Sequence, residues 1–389
     1  MMDPKPLDDE LGLYVHFPWC IKKCPYCDFN SHPLKDTTDQ AGYLDALLLD
    51  WQSQQAQWAT ERLGRSAHQA FTSIFFGGGT PSLFEPRYLA RLLSDIPHAG
   101  AEITLEVNPG TAEYHGFRDY ASAGINRLSL GAQSFDDAQL LGLGRIHRGT
   151  ETLTAFARAR DAGFNNINID LMWGLPGQSV ASALADLQQA IDLEPEHLSW
   201  YQLTIEAKTE FAQRPPILPK DQILHDIELA GLELLAQSGY ERYEVSGFAK
   251  DQRVCRHNLT YWSFGDYVGI GAGAHGKVTL ADSILRTLRP SQPRLYLNDP
   301  CAIPATPVAQ DQLTLEFMMN ALRLTNGVPF ATYSERTGLA WETVARAWQD
   351  LVQLGLVRSD RCATTDLGLR YLDSVLEKFI ETSPPHVAA

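Results

Sequence analysis

Tyr14-Val-His-Phe-Pro-Trp-Cys20-Ile-Lys-Lys-Cys24-Pro-Tyr-Cys27-Asp-Phe29 places three cysteines at C-x3-C-x2-C spacing directly after a predicted strand, Leu13–Phe17. Pro18 ends that strand, because proline donates no ladder hydrogen bond. Three thiolates on one tight loop can converge on a single inorganic centre. A cubane iron–sulfur cluster takes a cysteine at each iron, and structural zinc takes four protein ligands, so the local set is one ligand short. Zinc completed by His16 or His32 is one alternative, and metal-free buried thiols are another. The regular spacing favours a [4Fe–4S] cluster with one cysteine-free iron, open to a small chelating ligand.

Outward from this loop, strand-like and helix-like segments alternate. Further strands are predicted at Ser73–Phe76, Glu102–Val107, Arg127–Leu130, Asn166–Met172 and His197–Ile205, several as near-continuous apolar runs of the kind buried on both faces. Helices are predicted at Tyr43–Thr60, Pro86–Ile96, Ala112–Ala123, Thr150–Ala162, Val180–Leu193 and Gln222–Ser238, with Gly163 and Gly239 as stops. Such alternation implies an α/β fold with a parallel sheet. Six units fall short of a closed eight-fold barrel, which predicts an incomplete (β/α)6 barrel over residues 1–240.

An extension over residues 241–300 follows, with one strand expected at Glu241–Phe248 and a Gly-rich segment at Asp266–Gly276. Pro290–Pro307 reads as a loop and a domain boundary. Residues 301–389 suggest a small winged-helix-like domain. Its helices are predicted at Thr314–Leu324, Pro329–Thr337, Trp341–Leu354 and Leu367–Ile380, with a hairpin from Gly355 and Ala363 and a disordered tail from Ser383.

The chain has 389 residues, 44% hydrophobic and 20% charged, with a formal net charge of -15. This acidic balance argues against non-specific nucleic-acid binding, and also against reading the winged-helix-like part as a nucleic-acid module. The start, Met1 to Glu10, lacks the basic and apolar parts of a signal peptide, and no apolar run reaches membrane-spanning length. A cytoplasmic location with reduced thiols is expected. Cys301 and Cys362 read as ordinary thiols.

The chemistry extends to other strand ends. Phe75-Phe-Gly77-Gly78-Gly79-Thr80-Pro81-Ser82 lets backbone approach a ligand closely, at the strand end where such folds bind ligands. Glu106, Gln133 and Asp170 end other strands, and Arg145 adds a fixed positive charge. Singly, each is an ordinary strand-end residue; together they are expected to ring one barrel mouth.

Tyr14 with the three cysteines, Gly77-Gly-Gly-Thr-Pro, Glu106-Val-Asn-Pro, Gly131-Ala-Gln133-Ser-Phe and Asp170-Leu-Met-Trp-Gly-Leu-Pro resemble radical S-adenosylmethionine (SAM) proteins. The resemblance is closest to the branch that holds oxygen-independent coproporphyrinogen III oxidases and haem chaperones, and it runs over nearly the whole chain. It implies that the open iron takes the amino and carboxylate groups of SAM, which the reduced cluster can cleave. By the same resemblance Tyr14, Gly78, Gly79, Thr80, Glu106, Gln133, Arg145, Asp170 and Thr204 hold SAM, while Cys20, Cys24 and Cys27 hold the cluster.

Within this branch the oxidases resemble this loop but carry a cysteine two residues after the third; here Phe29 stands there. Cys255-Arg-His257-Asn258-Leu-Thr-Tyr261-Trp262 is similar to the H-N-x-x-Y-W motif of the haem-chaperone group. That likeness implies haem at His257, with Tyr261 and Trp262 against the macrocycle, since imidazole is a common axial ligand. Cys255 and His275 are rival ligands, and a hydrogen-bonded structural His257 is the plain alternative. The resemblance thus implies a haem chaperone with an acceptor protein, respiratory proteins and membrane-bound ones among the candidates. An electron donor and a homodimer are further implied partners. The alternative is an enzyme that oxidatively decarboxylates coproporphyrinogen.

Overall fold

The computed structural model describes residues 11–35, 38–61, 70–111, 115–280 and 283–380. The expected acidic start and the tail from Ser383 lie outside them. All six expected strands form: β1 Leu11–Phe17, β2 Ser73–Gly78, β3 Glu102–Val107, β4 Arg127–Gln133, β5 Ile167–Trp173 and β6 His197–Gln202. They pair in parallel and in sequence order. The intervening helices are α1 Gln40–Glu61, α2 Pro86–Ser94, α3 Phe117–Ser122, α4 Asp137–Gly142, α5 Gly149–Asp161 and α6 Val180–Asp192. The short α7 Glu210–Gln213 and then α8 Asp221–Gln237 follow β6.

Alternation along each strand divides the sheet into two chemistries. Leu13, Val15, Phe76, Ile103, Leu105, Leu128, Ile169 and Leu198 join one core with Leu47, Trp51, Leu92, Phe156, Leu187 and Leu235 of the helices. The residues between them face the other way and are polar: Ser73, Thr104, Arg127, Ser129, Asn168 and His197 are all buried. Both faces are therefore buried, as the apolar runs implied, but the inner face carries hydrogen-bonding groups.

The extension differs from its expected form. Glu241–Phe248 is not one strand but two short ones, β7 Glu241–Arg242 and β8 Gly247–Ala249, paired antiparallel. Glu244 causes the turn, accepting from Ser246 N (3.1 Å) and Ser246 Oγ (3.2 Å). β8 continues the sheet beyond β6, antiparallel to it. After α9 Arg256–Trp262, the Gly-rich segment supplies a seventh parallel strand, β9 Asp266–Ile270, on the free edge of β1. β10 His275–Thr279, β11 Ile284–Leu288 and β12 Ala305–Pro307 extend that edge antiparallel. The sheet order is β12-β11-β10-β9-β1-β2-β3-β4-β5-β6-β8-β7, so the barrel is open. Pro290–Pro307 is not simply a loop, since it contains α10 Pro293–Asn298 as well as β12.

Beyond it, α11 Gln310–Ala321, α12 Phe330–Thr337 and α13 Glu342–Gln353 close a second core around Phe317, Tyr333, Trp348 and Phe379. An antiparallel bridge between Val357 and Thr364 closes a short hairpin, followed by α14 Asp366–Arg370 and α15 Leu372–Ile380. No helix among the described residues is long and apolar enough to cross a membrane.

Candidate functional site

The cysteine loop is held at both ends by backbone bonds. His32 N donates to Pro18 O (2.7 Å) and Leu34 N to Cys20 O (2.7 Å), while Cys27 N closes a turn on Cys24 O (3.1 Å). Thr80 Oγ1 donates to Cys20 Sγ (3.4 Å) and Arg145 Nη1 to Cys24 Sγ (3.7 Å). All three thiols are free and half-buried. Burial pushes the Cys20 and Cys27 thiols up, a cost that metal ligation would offset.

These thiols share a cavity of about 320 Å³ with Gly78, Gly79, Thr80, Glu106, Gln133, Arg145 and Asp170. Its walls are β2 to β6 and the loop after β1. Gly78 has φ +109, and a Cβ on Gly79 would lie 2.5 Å from Trp19 O, so this corner needs glycine. Gly78 N donates to Glu106 Oε2 (3.1 Å). Burial, then the nearby Asp170 charge, raises Glu106 to about 8. Asp170 is also raised by burial, opposed by hydrogen bonds from Ser129 Oγ (2.9 Å) and Asn168 Nδ2 (2.8 Å). Gln133, at φ 69 where β4 shifts register, accepts from Tyr201 OH (2.5 Å). Arg145 Nη2 donates to Gly131 O (2.8 Å), and its buried Nε has no partner.

The arrangement fits the implied groups. Three free thiols on one loop match a cluster with an open iron. No three His, Cys, Asp or Glu side chains among the described residues are gathered tightly enough for a single metal ion. The orphaned Nε of Arg145 can meet a carboxylate, and Glu106 and Asp170 can accept from ribose hydroxyls.

Three expected ligands lie outside the cavity. Tyr14 packs beneath Gly77, and its OH meets His16 Nδ1 (3.0 Å). Thr204 is exposed and donates to Glu206 Oε1 (2.7 Å). His257 lies at the opposite end of the strands, buried against Phe75 (ring centroids 5.1 Å) and Tyr261 (4.9 Å). Its Nδ1 meets Ser73 Oγ (3.0 Å), and its buried Nε2 has no partner. Burial lowers this imidazole to about 3, so it is neutral with a free lone pair when Nδ1 carries the proton. Of its rivals, Cys255 is buried at the start of α9 and pushed up to about 12, while His275 is exposed on β10. Ser129, Ser199, Tyr201 and Tyr26 also line the cavity but escaped the sequence reading. The first three stand at the inward positions of strands whose alternation marked them.

The radical SAM superfamily model matches residues 14–190, and the HemN C-terminal domain model matches residues 308–371. The chain is 44% identical over 378 residues to the heme chaperone HemW of Haemophilus influenzae, covering 95% of this chain and 98% of that protein. The same values hold for heme chaperone HemW of Escherichia coli. The solved coproporphyrinogen III oxidase (HemN) of Escherichia coli superposes with TM-score 0.78 at 22% identity, over 96% of this chain and 91% of that one, a likeness of fold. Near full-length identity at this level, on a fold with three free thiols at a barrel mouth, means that the chain belongs to the HemW family of the radical SAM superfamily.

Proposed function

We propose that the protein is a haem chaperone: it holds haem and a SAM-chelated [4Fe–4S] cluster, and passes haem to an acceptor protein. The observation that carries this reading is the 44% identity over 95% of the chain to proteins named heme chaperone. Cys20, Cys24 and Cys27 hold the cluster. Gly78, Gly79, Glu106, Gln133, Arg145 and Asp170 receive SAM, with Thr80 steadying Cys20 and Tyr14 supporting the glycine corner from below. Thr204 enters only if the turn after β6 folds inward. When bound, the cluster and SAM supply one-electron chemistry that an electron-donor protein would feed.

His257 is the proposed haem ligand, with Nδ1 donating to Ser73 and Nε2 free. It is carried by α9 and buried against Ser73 and Phe75 of β2, so ligation requires that helix to lift away from the strands. Phe29, in place of a further cysteine, supports chaperone over oxidase.

The test uses anaerobically reconstituted protein in two reactions. One receives haem; the other receives coproporphyrinogen, SAM and reductant. A stable Soret-absorbing complex with no decarboxylated product is expected. Conversion of propionates to vinyls with release of carbon dioxide would favour the oxidase reading instead.

A further inference from the structure

A run of hydrogen bonds leaves the cysteine cavity, crosses the inner face of the barrel and ends on the His257 motif. Asn168 Nδ2 donates to Asp170 Oδ1 (2.8 Å) and to Ser129 Oγ (2.7 Å). Asn168 Oδ1 is thereby an acceptor, and it lies 2.7 Å from His197 Nδ1. His197 Nδ1 therefore carries the proton. Its Nε2 must then accept, from the Tyr243 hydroxyl at 3.0 Å. The Tyr243 oxygen in turn accepts from Asn258 Nδ2 at 3.1 Å. Every donor points the same way, from Asn258 towards Asp170, and the final acceptor is a carboxylate.

The run is internal. Asn168, His197 and Tyr243 are buried, and burial holds His197 well below the ordinary imidazole value, hence neutral with one N–H. Asn168 and Asn258 are amides and pass no protons, so the run transmits orientation rather than charge. Its ends are informative. Asp170 lines the cysteine cavity. Asn258 follows His257 in α9, a helix whose start is also fixed by Arg256 N donating to Glu102 Oε1 (2.9 Å).

We infer that His197 and Tyr243 are positioning residues through which SAM, bound at Asp170, locks α9, which carries His257, down against the strands, so that SAM and haem oppose each other's binding. The inference rests on the two sites proposed above. Haem reaches His257 Nε2 only when α9 lifts, which breaks the Asn258–Tyr243 bond. SAM is cationic and brings hydroxyl donors, so it holds Asp170 as a carboxylate, the form that best accepts from Asn168. The SAM-loaded protein is then the haem-releasing state, a property suited to a carrier. Coupling between two binding sites is reciprocal, and its usual size is about 5- to 150-fold.

The experiment uses full-length, cluster-reconstituted protein. Haem Kd is read from Soret titrations with and without saturating SAM, SAM Kd is measured with and without haem, and hydrogen exchange of Arg256–Trp262 is followed with and without SAM in the absence of haem. SAM should weaken haem binding at least about fivefold, haem should weaken SAM binding by the same factor, and SAM should slow exchange in α9. Tyr243→Phe keeps the ring and removes only the hydroxyl. Both ligands should still bind this variant, with the coupling within about twofold of unity and the exchange effect gone. His197→Gln, which offers one donor and one acceptor, should keep the coupling; its loss there overturns the hydrogen-bonded route. So does SAM binding that leaves α9 exchange unchanged, or coupling undiminished in Tyr243→Phe, and both leave the proposed function standing. If SAM fails to bind at all, the site reading falls together with the inference.

Discussion

Glu106 is the carboxyl on which the protonation of the cavity turns. Its pKa rises from an ordinary 4.5 to about 8, first through burial and then through Asp170. Between those values the unfolded chain has lost the proton and the folded one keeps it. The folded state then binds more protons, so stability falls as pH rises across this window, and the penalty is fully present above it. Cluster-free protein should lose melting temperature from pH 4.5 to 8 in part for this reason, and Glu106→Gln should show a shallower loss. Parallel melting curves for the two proteins would discard this account. Glu106, Gln133 and Asp170 were legible because strand C-termini in this fold class converge on one mouth, whereas Arg145, in the loop after α4, stood out only as a fixed charge. Thr204 was not, since β6 ends at Gln202 and the chain turns outward there. Tyr14 sits one inward position below His16, its hydroxyl on His16 Nδ1 (3.0 Å) and its ring against Gly77, and it does not line the cavity.

At the scale of elements, a buried ion pair joins the extension to the barrel. Asp50 of α1 accepts from Arg289 Nη2 (2.7 Å), both side chains being fully buried, and also from Tyr296 OH (3.1 Å) of α10 and Gly271 N (3.2 Å) after β9. The neighbouring Tyr43 donates to His16 O (2.7 Å) and accepts from Ala272 N (2.9 Å), so the same helix braces the cysteine-loop strand. Removing one partner of such a pair leaves an uncompensated buried charge and costs about 3–5 kcal/mol. Arg289→Met should lose that much in urea unfolding, and adding Asp50→Leu should recover part of it. A single variant within about 1 kcal/mol of the parent would show that the pair does not fasten the extension. None of this was legible in sequence, because partners more than two hundred positions apart leave no local pattern. β9 was missed for a different reason. Glycines depress strand propensity, yet Gly269 is needed there, because a Cβ would lie 2.0 Å from His275 O.

Across the whole molecule, one inner strand face carries the cysteine cavity and, apart from it, the proposed haem site. The cysteine cavity lies at the C-terminal strand ends, while His257 packs at the N-terminal ends beside Gly12 and Ser73. The alternating β/α order made the first end legible; the second depended on a chain segment that returns beneath the barrel from residue 255 onwards. Separation predicts independent loss. Cys24→Ser should lose most of the reconstituted iron and sulfide, because the cluster retains only two of its three protein ligands. It should still bind haem, since the partners of the His257 ring are Ser73, Tyr14, Phe75 and Tyr261 rather than the cysteine loop. His257→Ala should bind haem at least about tenfold more weakly, about 1.4 kcal/mol, while keeping the iron content and SAM affinity of the parent. Metal analysis and Soret titration on the same two preparations decide the matter. Loss of haem binding in Cys24→Ser would place haem at the barrel mouth. Undiminished binding in His257→Ala would return that histidine to a structural role, its ring held by Ser73 and Phe75.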